Sequence, residues 1–361
     1  MILPTINLPA QSIKIPPRNF INLRSSELIH CEMSNILNQF NLNNSELIQY
    51  YPCIANFKKR ISQLIECSES KFLLSAGSDL MISNLLEAMS LITKNMILQS
   101  PAYPGWSNFA ALRQINIKYI ISPNLTTGYQ LTDIIKAINS IQSSIVVIVN
   151  PHSPSGFCFS LDEMLMITEH CKHNNHFLII DECYIGFSTF NHKQLLDMSE
   201  QVVLIRSYSK SLGLAGARIS ITFGSKKMID YLSNWNTEFS VAGFSLKLLQ
   251  HLLERQKEIN LICQDIVDNK QKFITILNTI KPSWQIFPSS TNFVVINVQP
   301  DDPKLITKYL ETHKIIIGNL EKIPGYEKCI RITIGDWSIM QQLIGLIKNY
   351  KLDNSSLICH D

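Results

Sequence analysis

The chain has 361 residues, 45% hydrophobic and 17% charged, with 32 Lys and Arg against 29 Asp and Glu for a formal net charge of +3. The near-neutral balance without a long basic run argues against a nucleic-acid footprint, and the low charge with high apolar content argues against disorder. No apolar stretch reaches the ~18 residues of a membrane span, the start MILPTINLPAQSIKIPP lacks a leader pattern, and nine cysteines without a Cys-x-x-Cys pair read as free thiols of a cytoplasmic protein.

In chain order, residues 1–45 read as an Asn-, Ser- and Pro-rich arm with a short helix near 26–40. A helical pattern follows at 55–65. From about Lys71 the rhythm becomes β/α: short apolar runs at 96–98, 117–121, 145–149, 177–180, 202–205 and 219–223 alternate with helical stretches such as 161–172. Continuous apolar runs suit strands buried on both faces of a mainly parallel sheet. Residues 245–280 carry helical spacing without Pro or Gly and read as one long helix or two in succession. Strand patterns at 293–298 and 330–334 and helical ones at 303–312 and 338–350 complete the chain. The expected division is an N-terminal arm (1–45) packing on a smaller C-terminal α+β domain (246–361), around a large α/β domain (46–245).

Three stretches carry chemistry. In Ser207-Tyr208-Ser209-Lys210-Ser211-Leu212-Gly213-Leu214-Ala215-Gly216-Ala217-Arg218, a lysine follows a buried-type strand, and an arginine lies eight residues on. Such a lysine can condense with an aldehyde, and the arginine and serines can bind phosphate; a Gly/Ser loop with surface cations is the plain alternative. Asp181, in Asp181-Glu182-Cys183-Tyr184, ends a buried strand where α/β folds place their sites, or caps a helix. Ser75-Ala76-Gly77-Ser78-Asp79 offers free N–H groups at a helix start, where anions bind. Cys171, His173 and His176 look metal-like but lack a fourth ligand at matching spacing, so no metal is expected.

These motifs, in this order, resemble the fold-type-I pyridoxal-phosphate (PLP) enzymes of the aspartate-aminotransferase superfamily, and within it the histidinol-phosphate aminotransferase branch, over about residues 23–350. The resemblance implies an α/β fold of that type, PLP as cofactor and an amino-acid substrate. Lys210 would be the cofactor-linked lysine and the proton shuttle. Arg218, Ser207, Ser209 and the Gly77-Ser78-Asp79 turn would hold the cofactor phosphate, and Asp181 would pair with the ring nitrogen. Tyr184 would bond the ring hydroxyl and Tyr103 would stack on the ring. Tyr51 would reach the neighbouring subunit's phosphate, implying a homodimer with shared sites. Arg331 would clamp the substrate carboxylate, and Asn292 matches a motif near the domain junction.

Two departures stand out. Where the superfamily carries Asn-Pro-Thr-Gly, this chain has Asn150-Pro151-His152-Ser153-Pro154-Ser155-Gly156, so Ser153 replaces the ring-hydroxyl-binding Asn, and His152 offers either an acid/base group or a solvated loop histidine. Thirteen residues before Arg331, where that branch carries a phosphate-gripping arginine, stands Gly318. A dianion loses one charge-assisted contact there, worth about 1.5–3 kcal/mol, so a non-phosphorylated substrate is expected. Ser25, Glu27 and Asp336 could then face a cationic tail, as in capreomycidine-synthase-like enzymes that cyclise hydroxylated arginines; capping by Ser26 of a helix starting at Glu27 is the plain alternative. Transamination is the first expectation, elimination with cyclisation the second, and a non-catalytic binding module the third.

Overall fold

The computed structural model describes residues 16–17, 19–41, 45–122, 125–188 and 190–350. Two sheets organise it. The larger has seven strands: β2 (Phe72–Ser75), β3 (Asn95–Ser100), β4 (Asn116–Ile121), β5 (Ile145–Val149), β6 (Phe177–Asp181), β7 (Val202–Ser207) and β8 (Ser220–Gly224). Their order is β2-β8-β7-β6-β5-β3-β4, and the five strands from β7 to β4 run parallel, whereas β8 is antiparallel to both its neighbours. The run Ile-Val-Val-Ile-Val in β5 is buried at every position. β-Branched side chains suit a pleated surface, and their lack of alternation fits a strand covered on both faces. Helices Ser78–Ser90, Pro104–Leu112, Leu131–Asn139 and Leu161–His173 fill the crossovers; the last opens with a reciprocal Ser160–Glu163 capping box.

The register decides where chemistry can occur. Asp181 lies level with Val149 on one side and Ile205 on the other, so the carboxyl ends of β5, β6 and β7 form one edge. In parallel sheets that edge is where ligands bind.

The smaller sheet has the order β1-β11-β12-β10-β9, with β1 (Ile21–Leu23), β9 (Gln285–Ile286), β10 (Phe293–Asn297), β11 (Ile315–Asn319) and β12 (Cys329–Thr333). Its first strand comes from the N-terminal segment and pairs parallel to β11. The helix expected over 26–40 begins only at Cys31, capped by His30, and ends at Asn38. Ser26 is not a helix cap: it is buried, has a left-handed backbone (φ 56°), and donates its N–H to Thr333 Oγ1 at 3.0 Å. A left-handed residue tied to a strand cannot enter the first helical turn. The stretch 245–280 resolves into two helices, Gly243–Leu253 and Gln256–Ile280. No helix among the described residues is long and apolar enough to cross a membrane, and the eight cysteines among them are free thiols.

Candidate active site

Asp181 ends β6 with its side chain buried. Trp106 Nε1, from the helix after β3, donates to its Oδ2 at 3.1 Å, and Cys183 N donates to its Oδ1 at 3.2 Å. Burial raises the carboxyl's pKa, and these donors oppose the shift. Trp106 escaped the sequence reading; its only signal was its place directly after Tyr103-Pro104-Gly105.

Glu182, next in the chain, points the other way into a dry polar cluster. It accepts from His192 Nδ1 at 2.8 Å and from Arg206 Nε and Nη2 at 3.0 and 2.7 Å. His192 Nε2 meets Asn150 Nδ2 at 3.1 Å. Burial alone would push the Glu182 carboxyl up, but Arg206 and His192 outweigh it and hold the group below its ordinary value. No sequence spacing announces this cluster, because Asn150, Glu182, His192 and Arg206 come from four separate places in the chain. It buttresses both the Asp181 strand and the Asn150-Pro151 turn.

The turn after β2 builds an anion cradle. Gly77 has φ +84°, and a Cβ there would stand 2.7 Å from Arg218 Nη2. Only glycine lets the guanidinium approach the backbone so closely at that φ. Gly77 caps helix Ser78–Ser90, whose first N–H groups open toward the same space. Arg218 Nη2 also pairs with Asp79 Oδ2 at 3.1 Å, and the Tyr103 hydroxyl donates to Asp79 Oδ1 at 2.8 Å. Burial and that bond to Asp79 push the Tyr103 phenol well above its ordinary range, so it stays protonated. Ser207 and Ser209 are buried, with Ser209 N donating to Ser207 Oγ. A cradle a Cβ would fill, an arginine beside it and a helix N-terminus fit a phosphate, and the enclosed Asp181 fits a cationic ring nitrogen. The residues present therefore suit a phosphorylated pyridine cofactor.

The N-terminal segment closes the site from the other side. Three successive carbonyls are taken by three expected site residues: Arg24 O by Arg331 Nη2 at 2.7 Å, Ser25 O by Lys210 Nζ at 2.6 Å, and Ser26 O by Asn292 Nδ2 at 3.0 Å. Arg331 Nη1 also reaches Ser153 Oγ at 3.4 Å. Its guanidinium carbon lies 5.1 Å from the Phe293 ring centroid, and the edge of that ring meets buried Tyr184. The Arg331 Nε is sealed from solvent without an acceptor.

Other expected residues sit apart. His152 is fully enclosed, with Nε2 3.2 Å from Tyr129 Oη and Nδ1 2.8 Å from Ser155 Oγ. Burial drops its pKa to about 3, so it is a neutral internal histidine and neither a solvated loop group nor a proton donor near pH 7. Asp336 accepts from Cys31 N at 2.8 Å and lies 3.7 Å from His30 Nε2, at the start of helix Cys31–Asn38. Glu27 accepts from Asn22 Nδ2 at 3.1 Å, as does Ser25 Oγ at 3.0 Å. Tyr51 is 84% exposed, its ring 5.0 Å from that of Phe239. His176 uses both ring nitrogens, toward Ser144 N and Ile138 O.

The family model for aminotransferase class I and II matches residues 18–347. The chain belongs to that family. It is a PLP-dependent enzyme of aminotransferase type. It is 28% identical over 293 residues to a histidinol-phosphate aminotransferase of Flavobacterium psychrophilum, covering 80% of this chain and 82% of the relative. It is 29% identical over 361 residues to a histidinol-phosphate aminotransferase of Buchnera aphidicola subsp. Cinara cedri, covering 95% and 94%. Its fold superposes on the histidinol-phosphate aminotransferase of Sinorhizobium meliloti in complex with pyridoxal-5'-phosphate with a TM-score of 0.78 at 18% identity, covering 93% of this chain and 94% of that one.

Proposed function

We propose that this aminotransferase moves the amino group of a non-phosphorylated L-α-amino acid to a 2-oxo acid, with Lys210 as the proton carrier and Arg331 as the carboxylate clamp. Bound PLP supplies the electron sink that stabilises negative charge at the substrate Cα. Gly77, Ser78, Asp79, Ser207, Ser209 and Arg218 would hold its phosphate, Asp181 would favour a protonated ring nitrogen, and Tyr103, Ser153 and Tyr184 would contact the ring. The observation that carries the reading is Arg331. Its nitrogens meet only neutral acceptors, one a backbone carbonyl, and its Nε meets none. A forked cation held that way suits an incoming carboxylate, which would replace the Arg24 carbonyl. Lys210, on the turn after β7, is a flexible amine whose Nζ rests on a neutral carbonyl and can move to take a proton at the substrate Cα.

The same reading takes residues 46–245 as the cofactor-binding domain, with residues 1–45 packing on the domain at 246–361. The functional unit is a homodimer. Ile48, Tyr50, Tyr51 and Phe239 are 76%, 68%, 84% and 50% exposed. An exposed apolar cluster of this kind marks a contact surface, here for a second copy.

The test is incubation of the PLP-loaded enzyme with a panel of L-amino acids, with and without 2-oxoglutarate. Multiple turnovers that require the oxo acid and yield glutamate, and that vanish in Lys210→Ala, are the expected result. Turnover without an oxo acid, releasing water and a cyclised product, would replace transfer with elimination.

A further inference from the structure

The turn that reaches Arg331 from the large sheet is held from behind by a buried histidine. Ser153 Oγ lies 3.4 Å from Arg331 Nη1. A serine hydroxyl stands on a single rotatable bond, so it has less freedom than a longer amide to make up for a misplaced backbone. Its contact with Arg331 depends on where the turn 152–157 puts residue 153. Three sets of bonds fix that turn. His152 N donates to Phe157 O at 2.7 Å, and Gly156 N donates to His152 O at 2.8 Å. Ser290 N donates to Gly156 O at 2.8 Å, and a Cβ on Gly156 (φ +80°) would stand 2.5 Å from Ser289 Oγ, so the turn sits directly on the 289–290 loop. The third set belongs to the His152 ring. Nδ1 meets Ser155 Oγ at 2.8 Å, on the turn itself, and Nε2 meets Tyr129 Oη at 3.2 Å, outside it. Ser155 Oγ also accepts from Phe157 N at 3.2 Å.

We propose that His152 is a positioning residue for the carboxylate clamp: its bonds to Ser155 and Tyr129 hold the 152–157 turn so that Ser153 steadies the Arg331 guanidinium. An apolar side chain would fill the same enclosed space without desolvating two ring nitrogens. A neutral ring with both nitrogens satisfied does something an apolar one does not. It ties one arrangement of the turn to one arrangement of Tyr129, because any other leaves a buried polar atom without a partner. The edge of the Tyr129 ring packs on the imidazole with centroids 4.8 Å apart, which fixes the outer anchor. The inference rests on the role of Arg331 proposed above. It also joins the two halves of the departure at 150–156: the short residue 153 is served by a backbone that residue 152 sets.

The test uses the PLP-loaded enzyme and two reagents that capture the cofactor aldehyde as an oxime: aminooxyacetate, which carries a carboxylate, and hydroxylamine, which does not. Absorbance follows both, and the ratio of their second-order rate constants reports recognition of the carboxylate rather than general reactivity. Arg331→Gln should lower the ratio; no change in that variant would count against the clamp itself and so against the proposed function. His152→Phe fills the space without ring nitrogens. It should lower the ratio by about tenfold, the worth of one hydrogen bond to a charged group at the low end of its range, with the hydroxylamine rate unchanged. His152→Asn places its amide where Nδ1 stands and should recover most of the ratio. PLP content and melting temperature show whether each variant is folded. If His152→Phe is not, Ser155→Ala, which removes only the bond on the turn, carries the same expectation. A folded His152→Phe, or Ser155→Ala in its place, with the wild-type ratio overturns the positioning role. So does a folded His152→Asn that stays as low as His152→Phe.

Discussion

The cradle at Gly77 permits a quantitative forecast. In Gly77→Ala the new Cβ would stand 2.7 Å from Arg218 Nη2 at a backbone φ of +84°. Holding a non-glycine residue in such a region costs about 1–3 kcal/mol. Displacing Arg218 from the cradle forfeits a charge-assisted contact worth about 1.5–3 kcal/mol. The turn can relax when no phosphate is bound and cannot when one is, so most of both terms falls on cofactor affinity. The PLP Kd should rise by about a hundredfold or more, at about 1.4 kcal/mol per factor of ten. Titration of cofactor-free protein with PLP, followed by absorbance, measures this directly. Borohydride reduction then reports whether Lys210 still captures the cofactor at saturation. A Kd within about threefold of wild type would refute the cradle, provided Arg218→Gln weakens binding in the same assay.

Asp181→Asn should lose most of kcat while KM changes little, because an amide does not favour a protonated ring nitrogen; equal kcat in steady-state assays would remove Asp181 from that role. Glu182→Leu strands Arg206 without its carboxylate, and loss of one partner from a buried pair costs about 3–5 kcal/mol. Urea unfolding showing under about 1 kcal/mol would mean Arg206 finds water instead. His152 contributes an acid liability. Its pKa falls from 6.5 to about 3 on folding, so between those values the unfolded chain binds a proton that the native chain refuses. Stability then falls as pH drops below 6.5, at up to about 1.4 kcal/mol per unit. His152→Gln should flatten that slope in urea titrations at pH 7.5 and 5.5, and an unchanged slope would exonerate the residue.

Much of the large sheet was legible in the sequence for a local reason. β5 is short, β-branched and uniformly apolar, and β6 and β7 carry apolar runs at 177–180 and 202–205 before their polar ends, a pattern that suits doubly covered parallel strands. The glycine turn at 77 and the lysine stretch before Arg218 stand out locally as small and cationic residues, but the approach of Arg218 to Gly77 is a long-range contact.

What depended on pairing across long separations was not legible. The helix expected from residue 26 begins only at Cys31, because Ser26 is left-handed and tied to Thr333, a contact 307 positions away that no local periodicity announces. His152 had the same ambiguity: whether a loop histidine is solvated or sealed depends on Tyr129 and Ser155 closing over it, and no spacing encodes that. The sequence by itself determined the family, the cofactor and the chain of small, cationic and acidic residues that such chemistry requires. Only the tertiary structure decided that Arg24, Ser25 and Ser26 lay their carbonyls on Arg331, Lys210 and Asn292. These contacts join residues 185, 266 and 307 positions apart, a relation that no local pattern in the chain can carry.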